Sequence, residues 1–438
     1  MKIGYAKLGR SWKLDPYKGT STGGDVDVAR ALHIMSRMMP DDEFHLIGRN
    51  SAGDPTKCPH PYPDNVFNTS WEHTKDLGLK MIGDKLSVET KKQKLAELAD
   101  AFVPMFLEMD AIIVWAGQHG GSQTFIPSVS DREVLTNPQM SFMNYASFIV
   151  AGINAWREKN NPQEEIWLCP DPRNYLKARD LAWPISKPVI GQHDLVRKCK
   201  HERYGDPSEP DGYNAVWADK SDRGVWHADW PYAYGALEMT GAPNPAHVMP
   251  LDRILDTLAD RSTFGVIMNE NRIAGKPVVQ RGYILENWLA PYFPDLELVG
   301  KWSPKTIERL GIPEPRTVPY GEMAGTLRKW MCTITTPASG SGWATTKPWE
   351  CFAHGTVCFF HPFYDIQDHI LGDAPEELHQ WLRVKSAGEL VSRVQYLQEN
   401  PSVWKSLIRM QREYYEQQYA KTNGGTRMIM DRLEEMRT

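Results

Sequence analysis

The chain has 438 residues, 41% hydrophobic and 24% charged. At roughly 100–200 residues per domain this is a globular protein of about two to four domains, and it excludes disordered and collagen-like chains. Lys and Arg number 50 and Asp and Glu 55, a net charge of −5, so there is no chain-wide electrostatic footprint for nucleic acid and any DNA contact needs a local basic patch.

The first half alternates strand and helix. Residues 2–8 read as a strand, followed by the loop Gly19–Gly24 and an amphipathic helix from about Asp25 to Met38. Glu43–Gly48 is a second strand, and the Pro/Gly/Asn-rich stretch at about 50–75 is loop. A helix is expected over about Val88–Met109, a buried strand over Ala111–Ala116, a helix over about Pro138–Glu158, and strands at Ile166–Cys169 and Val189–Gly191. Residues 195–250 read as loops and an insertion, with a domain crossing near Pro245–Pro250.

The second half repeats the alternation. Strands are expected at Thr263–Met268, Leu296–Gly300, Met331–Thr335 and Thr356–Phe360, and helices at Val278–Ala290, Tyr320–Trp330 and Lys347–His354, the last closed by Gly355. Three helices end the chain, at Ala387–Gln398, Pro401 to about Ala420, and Thr426–Met436. Two successive βα halves imply two Rossmann-like domains with parallel sheets facing a cleft, and ligands in such sheets sit beyond the carboxyl ends of the strands.

The six cysteines show neither CxxC pairs nor zinc spacing and read as small buried hydrophobes in a reducing cytosol. The chain opens directly on a strand without a signal-peptide pattern, and no apolar run reaches the roughly 18 residues of a bilayer span. A cytoplasmic protein with no membrane partner is the expectation.

Five places carry candidate chemistry. Gly23, Gly24 and Asp25 follow the first strand; glycines let backbone approach a ligand and a helix N-terminus favours anions, though a loop with an Asp cap explains them as well. Asp25 and Asp27 form a short DxD, but residues i and i+2 of a helix point apart, which disfavours a shared metal. Asp171 ends a strand between Pro170 and Pro172, which hold it extended; it is either a general base for an alcohol or a turn residue paired with Arg173. Arg272 and Arg281 follow a strand and offer bidentate donors suited to diphosphate oxygens. Lys347 and Glu350 stand at a helix start, where Glu350 either complements the helix dipole or accepts both hydroxyls of a ribose.

Taken together these residues resemble the GT-B glycosyltransferases, and among them the T-even phage DNA β-glucosyltransferase family. Residues 346–370 carry the resemblance most clearly, through Trp349-Glu350, Ala353, Thr356-Val357, Phe363-Tyr364-Asp365 and His369-Ile370, and Ser386–Met410 continues it. Ile166–Arg173 is similar to the strand that delivers that family's general base, which falls on Asp171. Gly23-Gly24-Asp25 is similar to its first loop, with Asp25 near the donor sugar; Arg272 and Arg281 fall on its diphosphate arginines, Lys347 on a third arginine, and Glu350 on the ribose-binding glutamate. The departures are a longer chain with insertions near 50–90 and 195–245, a wider Arg272–Arg281 spacing, and a lysine without the arginine fork at 347.

The resemblance implies an acceptor domain over 1–248, a nucleotide-sugar domain over 249–410, and helices 411–438 that pack back on the first domain. It implies transfer of glucose from UDP-glucose, or another UDP-sugar, to the hydroxymethyl group of a modified pyrimidine in double-stranded phage DNA. Asp171 would act as the base of an inverting reaction on a flipped-out base, with no metal ligand assigned. Trp217, Trp226 and Trp230 are candidates for stacking or for packing of the insertion, and Arg197, Lys198, Lys200, His201 and Arg203 for phosphate contacts or a solvated loop. The rival readings are a GT-B enzyme acting on a small molecule, glycan or protein, with a retaining mechanism among the options, and a non-catalytic nucleotide-sugar- or DNA-binding module.

Overall fold

A computed structural model describes residues 1–7, 14–16, 23–48, 53–70, 100–115, 152–160 apart from 154 and 157, 165–168, 226–227, 239–270, 281–336, 345–362, 364–365, 368 and 370–438. The chain divides into two compact units: Met1–Val196 with Ala215–Trp230 and Thr426–Thr438, and Arg197–Asn214 with Pro231–Gly425.

The first unit is built on β1 (Lys2–Lys7), α1 (Gly23–Met38), β2 (Glu43–Gly48), β3 (Val66–Phe67), β4 (Ala111–Trp115), β5 (Glu165–Leu168) and β6 (Trp226–His227). The strand order is β3-β2-β1-β4-β5-β6, and every pairing is parallel. The near-continuous apolar run Ala111–Val114 is completely buried, as a strand covered on both faces of a parallel sheet requires. The order reverses between β1 and β4, and in open parallel sheets ligands bind beyond the strand ends at such a reversal. Two expectations are corrected. The stretch read as loop at 50–75 contains β3, whose two residues pair with Phe44 and His45 and are too short to show a period. The helix expected from Asp25 begins at Gly23.

The second unit carries β7 (Thr263–Ile267), α2 (Arg281–Ile284), β8 (Glu297–Val299), β9 (Trp330–Thr335), α3 (Lys347–His354), β10 (Val357–Phe360), α4 (Ala387–Glu399) and α5 (Pro401–Thr422). Its sheet is parallel in the order β10-β9-β7-β8, with the reversal between β7 and β9. The helix expected through Trp330 stops at Leu327, because Trp330 opens β9. Tertiary burial claims that residue: its ring is fully buried, its indole N–H donates to Glu297 Oε2 at 2.7 Å, and the ring lies against Gly265, where a Cβ would come within 2.0 Å of it. α2 runs on as a π-helical turn over Leu285–Leu289, and Gly355 closes α3 at φ 72°.

The expected break at 410 falls inside α5, one continuous helix with Leu407, Ile408, Gln411, Tyr414 and Tyr415 buried. Of the three C-terminal helices, α6 (Arg427–Glu435) belongs with the first unit, and in that unit Arg437 pairs with the buried Asp42. Cys332, Cys351 and Cys358 are buried free thiols, as expected of small core residues, and Cys58 is half-buried. Among the described residues no helix is long and apolar enough to cross a membrane.

Candidate functional site

In the second unit the carboxyl end of β7 is tied to its neighbours. Met268 N–H bonds to Val299 O at 2.9 Å, Glu270 N–H to Lys301 O at 2.9 Å, and the Asn269 side-chain oxygen accepts from Lys301 N at 2.8 Å. The Glu270 carboxylate accepts from Ser303 N, Ser303 Oγ and Thr306 Oγ1 at 2.8, 3.0 and 2.6 Å, fastening it to the start of helix Pro304–Leu310. The segment leaving β7 is therefore rigid up to the residue where the chain departs toward Arg272. The chain returns at Arg281, whose Nη1 donates to Asn269 O at 3.3 Å. Departure and return are thus pinned at one point.

Lys347 begins α3 and reaches the same place, with Nζ donating to Ile267 O. Pro348 fits the first turn of a helix, where its missing N–H costs nothing. The next turn is anchored by Trp349, edge-on to Phe352 at 5.8 Å and tilted against Tyr414 at 5.7 Å. Burial, then the nearby Arg281 charge, lowers the Lys347 pKa to about 7, with Glu350 acting the other way. Burial also lowers the Arg281 pKa. The cations at 281 and 347, both expected from the sequence, therefore meet beside the start of α3, and two neighbouring cations attract an anion. The buried Arg281 Nε and Thr346 Oγ1 have no hydrogen-bond partner among the described residues. Such orphaned polar atoms beside paired cations fit a phosphate-bearing ligand.

Glu350, three residues into α3, is buried and accepts from the Tyr320 hydroxyl at 3.0 Å through Oε1; that hydroxyl also lies 3.2 Å from Gly241 O. Behind it the fully buried Tyr364 fixes the approach to α3: Thr345 N donates to its hydroxyl at 2.6 Å, and that hydroxyl lies 3.2 Å from Thr345 O. The next residue, Asp365, sits at φ 53° with its carboxylate on the N–H groups of Ile370 and Leu371, each at 3.1 Å. Asn269, Glu270 and Tyr320 are not legible in the sequence, because their contacts lie 12 or more residues away and no local pattern marks them.

The remaining expectations divide simply. Gly23, Gly24 and Asp25 are the first three residues of α1. Asp171 and Arg272 lie outside the described residues, as do Trp217, Trp230 and the basic cluster 197–203. Trp226 forms β6 and pairs with Ile166 of β5. No group of three or more His, Cys, Asp or Glu side chains is placed to hold a metal among the described residues.

Two parallel α/β units with helices at the C-terminus define the GT-B fold, and solved structures of that class match the chain over nearly its whole length. T4 phage β-glucosyltransferase in complex with UDP and Mn2+ is 11% identical, with a TM-score of 0.51 and 99% of each chain covered. The DNA-modifying enzyme β-glucosyltransferase, solved with and without uridine diphosphoglucose, is 12% identical at a TM-score of 0.52, again with 99% of each chain covered. Sucrose-phosphate synthase from Thermosynechococcus elongatus is 12% identical at 0.53, covering 99% of this chain and 98% of that one. No family model and no curated protein matches the sequence.

Proposed function

We propose that this chain is a UDP-sugar-dependent glycosyltransferase that moves glucose to the hydroxymethyl group of a modified pyrimidine in DNA. The observation that carries the donor half of this reading is the cluster of Arg281, Lys347 and Glu350 at the switch point of the second sheet. In this reading Arg281, Arg272 and Lys347 take the diphosphate, and Glu350, held by Tyr320, takes the ribose hydroxyls. The resemblance of Gly23-Gly24-Asp25 to the first loop of the phage enzymes gives Asp25 the donor-sugar role in this reading.

Asp171 removes the proton from the acceptor hydroxyl as its oxygen attacks the anomeric carbon. The bond from that carbon to the diphosphate breaks, and its electron pair leaves with UDP. The cations stabilise the charge that gathers on the leaving oxygen, and the anomeric centre inverts.

The DNA acceptor rests on the resemblance of residues 346–370 and 166–173 to the phage enzymes. A small-molecule acceptor is the second reading, favoured by the comparable fold likeness to sucrose-phosphate synthase. One experiment separates them. Purified protein is incubated with UDP-sugars and either hydroxymethyl-cytosine or hydroxymethyl-uracil duplex, or phosphorylated hexoses, and the products are weighed. A hexose mass added to the nucleoside, lost in Asp171→Ala, is the expected result. Glycosylated hexose phosphate with unmodified DNA would move the reading to the second acceptor, and undiminished turnover in Asp171→Ala would remove Asp171 as the base.

A further inference from the structure

Helix Glu376–Leu382 and α4 meet at an open groove of about 380 Å³ that shares no residue with the cluster around Lys347. Its floor is an aromatic pair, Trp381 and Tyr396, with ring centroids 5.9 Å apart and planes inclined by 35°. Tyr396 is 46% exposed, one of four large hydrophobic side chains open to solvent among the described residues. The Tyr396 ring is thus presented to solvent beside an indole.

The groove is rigid. Arg393, on α4, donates through Nη1 to the carbonyls of Gln380, at 2.7 Å, of Trp381, and of Arg383, at 2.9 Å. It thereby closes the C-terminus of the helix that carries Trp381 and ties it to the helix that carries Tyr396. Its Nη2 pairs with Glu389, so its charge is consumed inside the groove wall. Glu377, on the rim, has no cationic partner among the described residues. The groove is therefore net acidic, which repels phosphates and carboxylates and so disfavours nucleic acid and acidic peptides.

What remains complementary is an uncharged ring with apolar faces and hydroxyl edges. The C–H groups of a pyranose face carry slight positive charge and pack on the negative face of an aromatic ring. Its hydroxyls donate to carboxylates such as Glu377 in charge-assisted bonds. Aromatic side chains with two torsions lose little entropy on binding, and Arg393 has already fixed the backbone beneath them. The volume is at the lower end of the roughly 300–1,000 Å³ typical of small-ligand sites. The geometry points to a saccharide-binding subsite in this groove for a neutral hexopyranose unit of an oligosaccharide. It stands independently of the donor reading and needs no chemistry from it.

The test is titration of the full chain with maltotriose and cellotriose by ligand-observed NMR and calorimetry. Wild type, Tyr396→Ala, Trp381→Ala and Glu377→Gln are compared, with UMP and a single-stranded oligothymidylate as competitors. The expected result is weak saccharide binding that falls about five- to tenfold in each aromatic variant and less in Glu377→Gln, with no displacement by either competitor. Tyr396 is exposed, so its variant keeps the fold even where Trp381→Ala does not. Binding of neither trisaccharide, binding unaffected by Tyr396→Ala, or displacement by the nucleotide probes would each overturn the assignment.

Discussion

Arg281 stands close enough to Lys347 for its charge to push the lysine pKa down, although both side chains serve the same rigid end of β7. A folded protein keeps two cations together at a cost, and an anion between them removes it. Lys347 titrates at about 7 in the folded chain against roughly 10.4 when unfolded. Over that window the unfolded chain binds more protons, so stability without ligand rises as pH rises from about 7 to 10. A diphosphate that binds the ammonium form pulls the proton back. UDP affinity is therefore expected to fall about fivefold between pH 7 and pH 8, with proton uptake measurable by calorimetry in buffers of different ionisation enthalpy. Lys347→Arg should flatten the profile. Wild-type affinity that is level across this range would count against contact between Lys347 and the diphosphate.

The bond from Tyr320 to Glu350 makes a second prediction. A carboxylate that accepts both ribose hydroxyls distinguishes UDP from 2′-deoxy-UDP. Glu350→Ala is expected to weaken UDP about tenfold or more, the size of a lost charged hydrogen bond, and to abolish that distinction. Tyr320→Phe should weaken UDP less and keep it. Calorimetric titration with both nucleotides checks each variant, and retained discrimination in Glu350→Ala would reassign the residue to helix-dipole compensation.

β10 lies at the edge of its sheet, yet its backbone groups are not left open. Gln411, fully buried on α5, accepts from Cys358 N at 3.1 Å and donates to Thr356 O at 3.3 Å. One side-chain amide thus stands in for a neighbouring strand. Gln411→Ala should orphan both groups and cost about 2–3 kcal/mol, read as a lower denaturation midpoint. Gln411→Glu keeps the acceptor and loses the donor, and should also destabilise.

Gly355 closes α3 at φ 72°, and a Cβ there would come within 2.3 Å of Ile254 Cγ2. Gly355→Ala is expected to cost about 2 kcal/mol from the left-handed backbone and the overlap together. The reading is a lower melting temperature. Because Gly355 ends the helix that Lys347 begins, UDP affinity measured well below the melting temperature should change little.

The alternation of apolar runs and helical periods determined two parallel α/β halves, the α3 helix from Lys347 to Gly355 and the last helices to within one or two residues. These features rest on local signals: Pro in a first turn, Gly at a C-cap, strands buried on both faces. Residue chemistry together with the family resemblance singled out Arg281, Lys347 and Glu350 as candidates, because forks, ammonium groups and carboxylates at strand ends and helix starts suit a nucleotide diphosphate. Tertiary structure decided what no window could carry. Trp330 belongs to a strand because Glu297 and Gly265 receive its ring, and Gln411 completes a sheet 53 residues away from Cys358. Tyr320 steadies Glu350, and Asn269 meets Lys301, only once the parallel sheet has brought distant segments together. Sequence alone determined which residues could do chemistry; the packing of the strands decided which of them share a charge environment, because burial and proximity exist only in the folded chain.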